Sequence, residues 1–262
     1  MGFSADWLAL REPSDLAARD PVLLRRAALL AGPRPVVLDL GCGTGATMRA
    51  MMPYLHQFSH WRLLDNDPAL LRRATAGSEG HSDAIRADLN DVNNLPLDGV
   101  QLVTASALLD LVSEDWLKDL AARIETPFYA TLSYDGVMSW TPGDPDDATI
   151  TAAFNIHQTR DKGFGPALGP DAVATAAKIF ADAGFTVLRA RSPWKVTPEM
   201  HRLQRALVEG IAGAAAEAGA AGAQEWGLMR HETAPQTTCW IGHEDLLVTP
   251  RSAPRDATHA SG

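Results

Sequence analysis

Residues 36–45 of this 262-residue chain read VVLDLGCGTG, an apolar run that ends in an acid and continues into glycines at alternate positions. A continuous apolar segment of this length is typical of a parallel strand buried on both faces. The glycines allow positive φ angles and let a ligand approach the backbone. Residues 46–52 then favour a helix, which Pro53 would end. Strand, glycine turn and helix in this order are typical of folds that bind nucleotide cofactors.

The alternation of strand and helix patterns continues after this turn. Residues 61–65 read WRLLD, and the following Asp67 and Pro68 are suited to cap and begin a helix. Further strands are predicted at 84–89, 99–105, 127–132, 185–190 and 237–242, and helices at 14–30, 113–124, 147–160, 170–183 and from 198 onward. Asp135 and Gly136 predict the tip of a hairpin that extends the fifth strand to Trp140. The pattern as a whole predicts an α/β domain.

The composition of the chain disfavours several classes of binding partner. A formal net charge of -9 disfavours nucleic acid and anionic membrane surfaces, because phosphate binding depends on clustered Lys and Arg. Cys42 and Cys239 lie far apart and form no metal-binding pair, so we predict no metal site and a reducing, cytoplasmic environment. No apolar run approaches the ~18 residues that cross a bilayer, so no membrane partner is expected. The sequence indicates no oligomeric state.

Two acids help to identify the cofactor. Asp65 stands at the tip of the second strand, at the spacing from Gly45 that lets a carboxylate accept hydrogen bonds from ribose hydroxyls. Residues 41–46 also fit the G-x-G-x-x-A pattern of nicotinamide cofactors, so the glycines leave nicotinamide and adenosyl cofactors open. Asp39 favours the second class, because a carboxylate beside the turn repels a pyrophosphate but suits an ammonium and a sulfonium. The alternative is that these acids only cap a loop or a helix.

Residues 38–45, Asp65 and residues 87–89 together resemble the motifs of the class I S-adenosylmethionine-dependent methyltransferases, and the resemblance spans residues 15–135. It implies a three-layer, Rossmann-like α/β fold, with a seven-stranded, mostly parallel sheet, a reversed last strand and helical insertions. It also implies S-adenosylmethionine as the cofactor. The residues that would bind it are Asp39, Gly41, Cys42, Gly43, Gly45, Asp65, Asn66, Asp88, Leu89 and Ser106.

The resemblance and the element pattern together suggest one methyltransferase domain over residues 1–249. Its half at 14–135 is expected to bind the cofactor, and its half at 136–249 is expected to face the methyl acceptor. A helical insertion is expected near 197–233, where this chain departs from the family by separating its last two predicted strands widely. The small, polar residues 250–262 predict a disordered tail.

The predicted reaction is in-line methyl transfer to the oxygen or nitrogen of a small-molecule acceptor. Holding the acceptor against the methyl group supplies much of the acceleration, and a base helps where a proton must leave. His157, on the inward face of the predicted helix 147–160, is the candidate catalytic base, although a histidine satisfied at the core edge is the more ordinary explanation. Candidate acceptor contacts are Asp110, Tyr134, His157, Arg160, Lys162 and Phe164; Asp110 could instead cap the following helix. Trp7 and Arg11 are candidates to close over the cofactor.

Two other functions remain open. An NAD(P)-dependent oxidoreductase is compatible with the glycine turn, but the chain contains no Tyr-x-x-x-Lys pair for hydride transfer. A non-catalytic protein that binds S-adenosylmethionine would carry the same motifs without turning over an acceptor. The sequence also lacks the Asn-Pro-Pro-Tyr and Asp-Pro-Pro-Tyr motifs of enzymes that methylate amino groups of nucleic acid bases.

Overall fold

The structure is a computed structural model that describes residues 4–76, 78 and 80–251. Within these residues an eight-stranded sheet forms the middle layer, in the order β3-β2-β1-β4-β5-β8-β6, with β7 paired to the start of β8. The strands are β1 (Val36–Leu40), β2 (His60–Asp65), β3 (Ser82–Arg86), β4 (Leu102–Ser106), β5 (Phe128–Thr141), β6 (Phe185–Arg191), β7 (Trp194–Val196) and β8 (Thr238–Pro250).

Helices cover both faces of the sheet and one end of it. They are α1 (Ala5–Ala18), α2 (Pro21–Ala31), α3 (Ala46–Met51), α4 (Pro68–Thr75), α5 (Glu114–Ala121), α6 (Asp147–Gln158), α7 (Ala172–Asp182), α8 (His201–Glu217) and α9 (Ala223–Thr233). Asp67 caps α4 by accepting a hydrogen bond from the Ala69 N–H at 2.7 Å, with Pro68 at the first helical position, as the sequence predicted. The predicted lead-in helix is two helices, because Asp20 begins a new one before Pro21.

The strand directions confirm a mostly parallel sheet with a reversed last strand. Neighbours among β1, β2, β3, β4 and β5 are parallel, whereas β8 runs antiparallel to β5 and to β6. The predicted count of seven strands was one too low. The additional strand is β7, which has only three residues and therefore shows no readable pattern in the sequence. Its buried Trp194 and Val196 fix it against β8.

The predicted hairpin around Asp135 and Gly136 was wrong. β5 continues through this dipeptide, and its register with β8 shifts between Tyr134 and Met138, which marks a β-bulge. Gly136 has a φ of 86°, and the Asp135 side chain accepts a hydrogen bond from the Val137 N–H at 3.0 Å. The bulge forms because β8 has thirteen residues, more than the predicted 237–242, and pairs with β5 on both sides of the bulge.

Three apolar clusters support the molecule. One joins the sheet to α5 and α7, and another joins its opposite face to α2 and α3. The third lies where α6, α8 and α9, which we call the helical cap, pack against the far ends of β5 and β8 and against β7. α8 and α9 are the predicted insertion, and a non-helical break at 218–222 separates them. Most of the predicted tail, residues 252–262, lies outside the described residues.

Candidate active site

A cavity of about 340 Å³ opens at the carboxyl ends of β1, β2 and β4, the edge at which open α/β sheets bind ligands. Its wall comes from the glycine turn, the ends of β2 and β4, the helix α1 and the loop that follows α6. Predicted cofactor residues in this wall are Gly41, Cys42, Gly43, Asp65, Asn66, Asp88, Leu89 and Ser106. Predicted acceptor residues in the wall are Lys162 and Phe164.

The glycine turn requires glycine for two separate reasons. Gly43 and Gly45 have φ angles of 53° and 84°, which side chains of L-residues rarely adopt. A Cβ atom on Gly43 would lie 3.1 Å from the side chain of Leu8, and one on Gly45 would lie 3.3 Å from the backbone of Ala74. Backbone therefore forms the floor of the cavity, and the turn packs tightly against α1 and α4. Gly45 itself lies behind the cavity wall.

Asp65 connects the second strand to the turn. One carboxylate oxygen accepts a hydrogen bond from the Gly43 N–H at 2.9 Å, and the other accepts one from the Asp67 N–H at 3.0 Å. Each carboxylate oxygen can accept a second hydrogen bond, so the side chain is held in place while capacity remains for the hydroxyls of a ribose. Its position in the cavity wall makes that capacity available to a ligand.

Asp39 lies beneath the turn and is 1% exposed. The Thr104 hydroxyl donates a hydrogen bond to one of its oxygens at 2.7 Å, and the other oxygen finds no partner among the described residues. Burial raises the pKa of Asp39 to about 7, although the Thr104 hydrogen bond and the charge of Arg19 act in the opposite direction. A buried carboxyl with an unused oxygen fits a ligand that brings positive charge to the turn.

The loop after α6 forms the opposite wall. The Asp161 carboxylate accepts hydrogen bonds from the N–H groups of Gly163 and Gly165, at 2.7 and 3.1 Å, which folds the loop back on itself. Phe164 meets Trp116 edge to face at 6.1 Å. Trp116 in turn donates a hydrogen bond to the Leu89 carbonyl at 2.7 Å. The loop is thus connected through packed side chains to the part of the wall that contains Asp88.

His157 and Arg160 lie behind this loop and not in the cavity wall. The Nε2 atom of His157 is 3.0 Å from a carboxylate oxygen of Glu217, and its Nδ1 atom is 3.2 Å from the Nζ atom of Lys162. Arg160 donates a hydrogen bond to the Glu217 carbonyl at 2.9 Å. Of the three basic residues predicted for the acceptor side, Lys162 alone contributes to the wall as the structure describes it.

Asp110 and Tyr134 do not line the cavity. The Tyr134 hydroxyl donates a hydrogen bond to Asn155 at 2.8 Å, which ties β5 to the helical cap. Ser113, not Asp110, caps α5. An oxygen of Asp110 is buried and has no hydrogen-bond partner in the described part of the chain. Burial raises the pKa of Asp110 to about 6, against the positive charges of Arg11 and Lys162.

The sequence prediction missed the contribution of α1 because the predicted lead-in helix began at residue 14. Leu8 and Asp15 line the cavity together with Arg11, which the sequence did single out, whereas Trp7 packs against the third apolar cluster. Arg11 bonds to Asp15 at 3.0 Å, and its guanidinium lies 4.8 Å from the ring of Trp194. Pro13 inside the helix concealed the helical pattern.

Arg19 was also missed, and it holds the end of α1 against the sheet. This buried guanidinium donates hydrogen bonds to the hydroxyls of Thr131, at 2.5 Å, and of Ser106, at 3.1 Å. Ser106 belongs to the cavity wall, so Arg19 supports the site from behind. A lone arginine in a sequence carries no signal for such a long-range role.

Comparison with known proteins agrees with this geometry. Residues 37–126 match a family model described as a methyltransferase domain. The match includes the glycine turn, Asp65 and Asp88. These residues therefore belong to a methyltransferase domain. No protein of curated function matches the chain in sequence.

Solved methyltransferases share the fold at low sequence identity. A methyltransferase from Thiobacillus denitrificans, solved with S-adenosyl-L-homocysteine, has a TM-score of 0.52 and 13% identity, over 96% of this chain and 100% of that one. A putative methyltransferase from Haloferax volcanii, in complex with the Trm112 activator, has a TM-score of 0.52 and 17% identity, over 95% of each chain. A putative methyltransferase from Bacillus halodurans has a TM-score of 0.51 and 13% identity, over 91% of this chain and 100% of that one.

In the part of the chain that the structure describes, no helix combines the length and the apolar character needed to cross a membrane. Within the same residues, no group of three or more His, Cys, Asp or Glu side chains is arranged to hold a metal ion.

Proposed function

We propose that this methyltransferase acts on a small-molecule acceptor, at an oxygen or a nitrogen atom. The observation that carries the proposal is that one cavity brings together the glycine turn, Asp65 and the loop at Lys162 and Phe164. Apolar side chains of Leu8, Leu108, Leu111 and Phe164 give part of this wall the character of a pocket for a small organic molecule. The net charge of -9 disfavours a nucleic acid acceptor.

The residues of the turn and of the neighbouring strand ends fit S-adenosylmethionine. The backbone at Gly41 and Gly43 would hold its methionine part, and the Asp65 carboxylate would accept hydrogen bonds from its ribose. Asp88 and Leu89 would contact its adenine. The buried carboxyl of Asp39 would balance positive charge from below the turn. The bound cofactor supplies a methyl group that is electrophilic because it is attached to a sulfonium.

The protein itself would position the acceptor for methyl transfer and shield the reacting atoms from water. α1 and the loop after α6 would hold the acceptor against the cofactor and keep water out, so that the reacting atoms meet in line. Phe164, held by Trp116, is suited to contact an apolar part of the acceptor. A cytoplasmic location belongs to the same proposal and is supported by Cys42 and Cys239, both of which are buried, unpaired thiols.

The acceptor can be found by incubating the protein with a metabolite extract and isotopically labelled S-adenosylmethionine. We expect one or a few small molecules to gain the labelled methyl group, and S-adenosylhomocysteine to accumulate in equal amount. A protein that binds S-adenosylhomocysteine but labels nothing would instead be a non-catalytic binder, which contradicts the proposal. Methylation of added RNA or of protein in preference to small molecules would also contradict it.

The role of Asp65 can be tested separately by calorimetric titration with S-adenosylhomocysteine. Asp65→Ala removes the hydrogen bonds to ribose, so we expect binding to weaken by ~1–3 kcal/mol. Asp83→Ala is the matched control, because Asp83 is an exposed acid on the adjacent strand. Unchanged affinity in Asp65→Ala would mean that this acid does not bind the ribose. Binding of NADH in place of S-adenosylhomocysteine would contradict the cofactor assignment.

A further inference from the structure

Three side chains form a continuous path from the cavity to solvent. Lys162 lines the cavity, and its Nζ atom is 3.2 Å from Nδ1 of His157. Nε2 of His157 is 3.0 Å from the Glu217 carboxylate. The His157 side chain is 14% exposed and that of Glu217 is 68% exposed. The path therefore begins at the cavity, passes through the largely buried imidazole of His157 and ends at the solvent-exposed carboxylate of Glu217.

The direction of the hydrogen bonds follows from the chemistry of the three groups. A lysine ammonium can only donate, so Nδ1 of His157 accepts from a protonated Lys162. The proton of the neutral imidazole then lies on Nε2, which donates to the Glu217 carboxylate. In this arrangement each group can pass a proton to the next one. Transfer from Lys162 to Nδ1 can accompany loss of the Nε2 proton to Glu217 and from there to water.

The surroundings of Lys162 favour an amine that gives up its proton. Burial lowers the pKa of Lys162, and the positive charge of Arg160 lowers it further. The negative charges of Glu217 and Asp110 raise it and so limit the effect. Among the described residues, the titratable side chain within hydrogen-bond distance of the Lys162 Nζ atom is the imidazole of His157. The net result is a larger fraction of neutral amine near neutral pH than an exposed lysine would have.

We propose that Lys162 is the general base of methyl transfer and that His157 and Glu217 carry the proton away from it. The inference deepens the proposed function and rests on it. The sequence predicted His157 as the base, but the structure places Lys162 between this imidazole and the cavity. Lys162 is therefore the catalytic residue, and His157 is a positioning residue that acts through it. The acceptor belongs to the class whose methylated atom loses a proton, a hydroxyl or a protonated amine.

The proposed step is balanced in atoms and electrons. The neutral Nζ of Lys162 takes the proton from the acceptor atom. The electron pair left on that atom forms the bond to the methyl carbon while the carbon–sulfur bond breaks and its pair remains on sulfur. Lys162 is left as an ammonium, which returns to the neutral amine through Nδ1 of His157. No oxidant or reductant takes part.

The protonation of Lys162 can be tested without knowing the acceptor. Trace labelling with acetic anhydride across a pH series, read by mass spectrometry, reports the titration of each lysine in the intact protein. We expect Lys162 to titrate at lower pH than the exposed Lys195, which does not line the cavity and serves as the internal control. In His157→Ala the Lys162 profile should shift further down, because the acceptor for its ammonium is lost, while the Lys195 profile stays unchanged. Equal titration of both lysines would overturn the proposal.

Turnover on the acceptor identified from the extract tests the base itself. Lys162→Arg keeps the positive charge but cannot deprotonate at the assay pH, so we expect kcat to fall by about 100-fold or more. Lys162→Ala should be partly rescued by added ethylamine. His157→Asn should move the pH profile of kcat with little change in KM for S-adenosylmethionine. Lys178→Arg, the matched control, should behave as the wild type.

The outcomes separate the two proposals. Calorimetry with S-adenosylhomocysteine is the check that each variant still folds and binds. If wild-type protein turns over and Lys162→Arg is equally active, Lys162 only provides charge, and the base assignment is wrong while the proposed function stands. The same assignment fails if Asp110→Asn alone abolishes turnover and removes the pH dependence of kcat. If wild-type protein methylates nothing, the proposed function fails and the base assignment fails with it.

Discussion

At the scale of single residues, Asp39 is the group whose protonation we expect to be linked to cofactor binding. Its pKa, raised by burial to about 7, means that the free protein holds Asp39 partly protonated at pH 6.5. A ligand that brings positive charge to the turn favours the carboxylate. Binding of S-adenosylmethionine should therefore release protons at this pH, and affinity should increase as the pH rises through about 7.

Calorimetry at pH 6.5 in two buffers of different ionisation enthalpy measures this proton release. We expect a release of a fraction of a proton per site in the wild type, and its loss in Asp39→Asn, whose amide does not titrate. Asp110, with a pKa raised to about 6, also titrates in this range, so Asp110→Asn is the matched control that should keep the release. An unchanged proton release in Asp39→Asn would contradict a linkage through this residue.

The same carboxyl also affects the stability of the free protein. The pKa of Asp39 is higher in the folded protein than in the unfolded chain. Its contribution to the free energy of unfolding is therefore complete below the unfolded pKa and is lost as the pH rises through about 7. The site thus holds an acid that destabilises the free protein at neutral pH. Such a cost is expected where a buried group serves a ligand and not the fold.

Asp39, Gly43 and Asp65 could be predicted from the sequence because a contiguous backbone motif and fixed strand ends determine their positions. The sequence could not predict that Lys162 lines the cavity while His157 lies behind it. This arrangement depends on how α6 packs against α8, which brings Glu217 to the far side of His157. Contacts between residues that lie far apart in the chain leave no local pattern in it.

At the scale of elements, the extended pair of β5 and β8 connects the sheet to the helical cap. An Asp-Gly dipeptide is equally suited to a hairpin and to a bulge, and the choice depends on the partner strand. Here the partner is β8, more than a hundred residues later in the chain, so the sequence around Asp135 could not decide it. The alternation of buried strands and helices is local, and it did predict the other strands of the sheet except the three-residue β7.

A substitution at Gly136 tests whether the β-bulge in β5 requires glycine at this position. The φ of 86° at Gly136 disfavours any L side chain, and an added Cβ would lie 2.9 Å from a Pro170 side-chain atom. We expect Gly136→Ala to lower the free energy of unfolding by ~1–3 kcal/mol. Gly210→Ala is the control: Gly210 is exposed within α8 with open space around it, so alanine should raise stability by ~0.5–1 kcal/mol.

Urea denaturation of both variants measures these free energies. If both substitutions changed stability by the same amount and sign, the strain at the bulge would be absent. A loss of stability in Gly136→Ala should also appear as faster hydrogen exchange in the second half of β5, because the bulge holds this half in register with β8. Exchange in β1 should change less.

At the scale of the whole molecule, the helical cap is joined to the sheet by shared strands and closed by one buried ion pair. Arg230 of α9 binds the Asp147 carboxylate at the start of α6 at 2.5 Å, and Asp147 also accepts a hydrogen bond from Trp226 at 2.9 Å. The Arg230 side chain is 3% exposed. These contacts tie together the first and last helices of the cap, which positions α6 and therefore the loop that carries Lys162.

Removing one partner of a buried ion pair leaves the other charge buried and unpaired, so Arg230→Ala should lower the free energy of unfolding by ~3–5 kcal/mol. Arg202→Ala, which truncates an exposed arginine of α8, should change it by less than ~0.5 kcal/mol. The double variant Asp147→Leu with Arg230→Met should lose less stability than Arg230→Ala, because both charges leave the interior together. Urea denaturation of the three proteins gives these values. A double variant at least as unstable as Arg230→Ala would mean that the pair stabilises the cap by more than the cost of burying it.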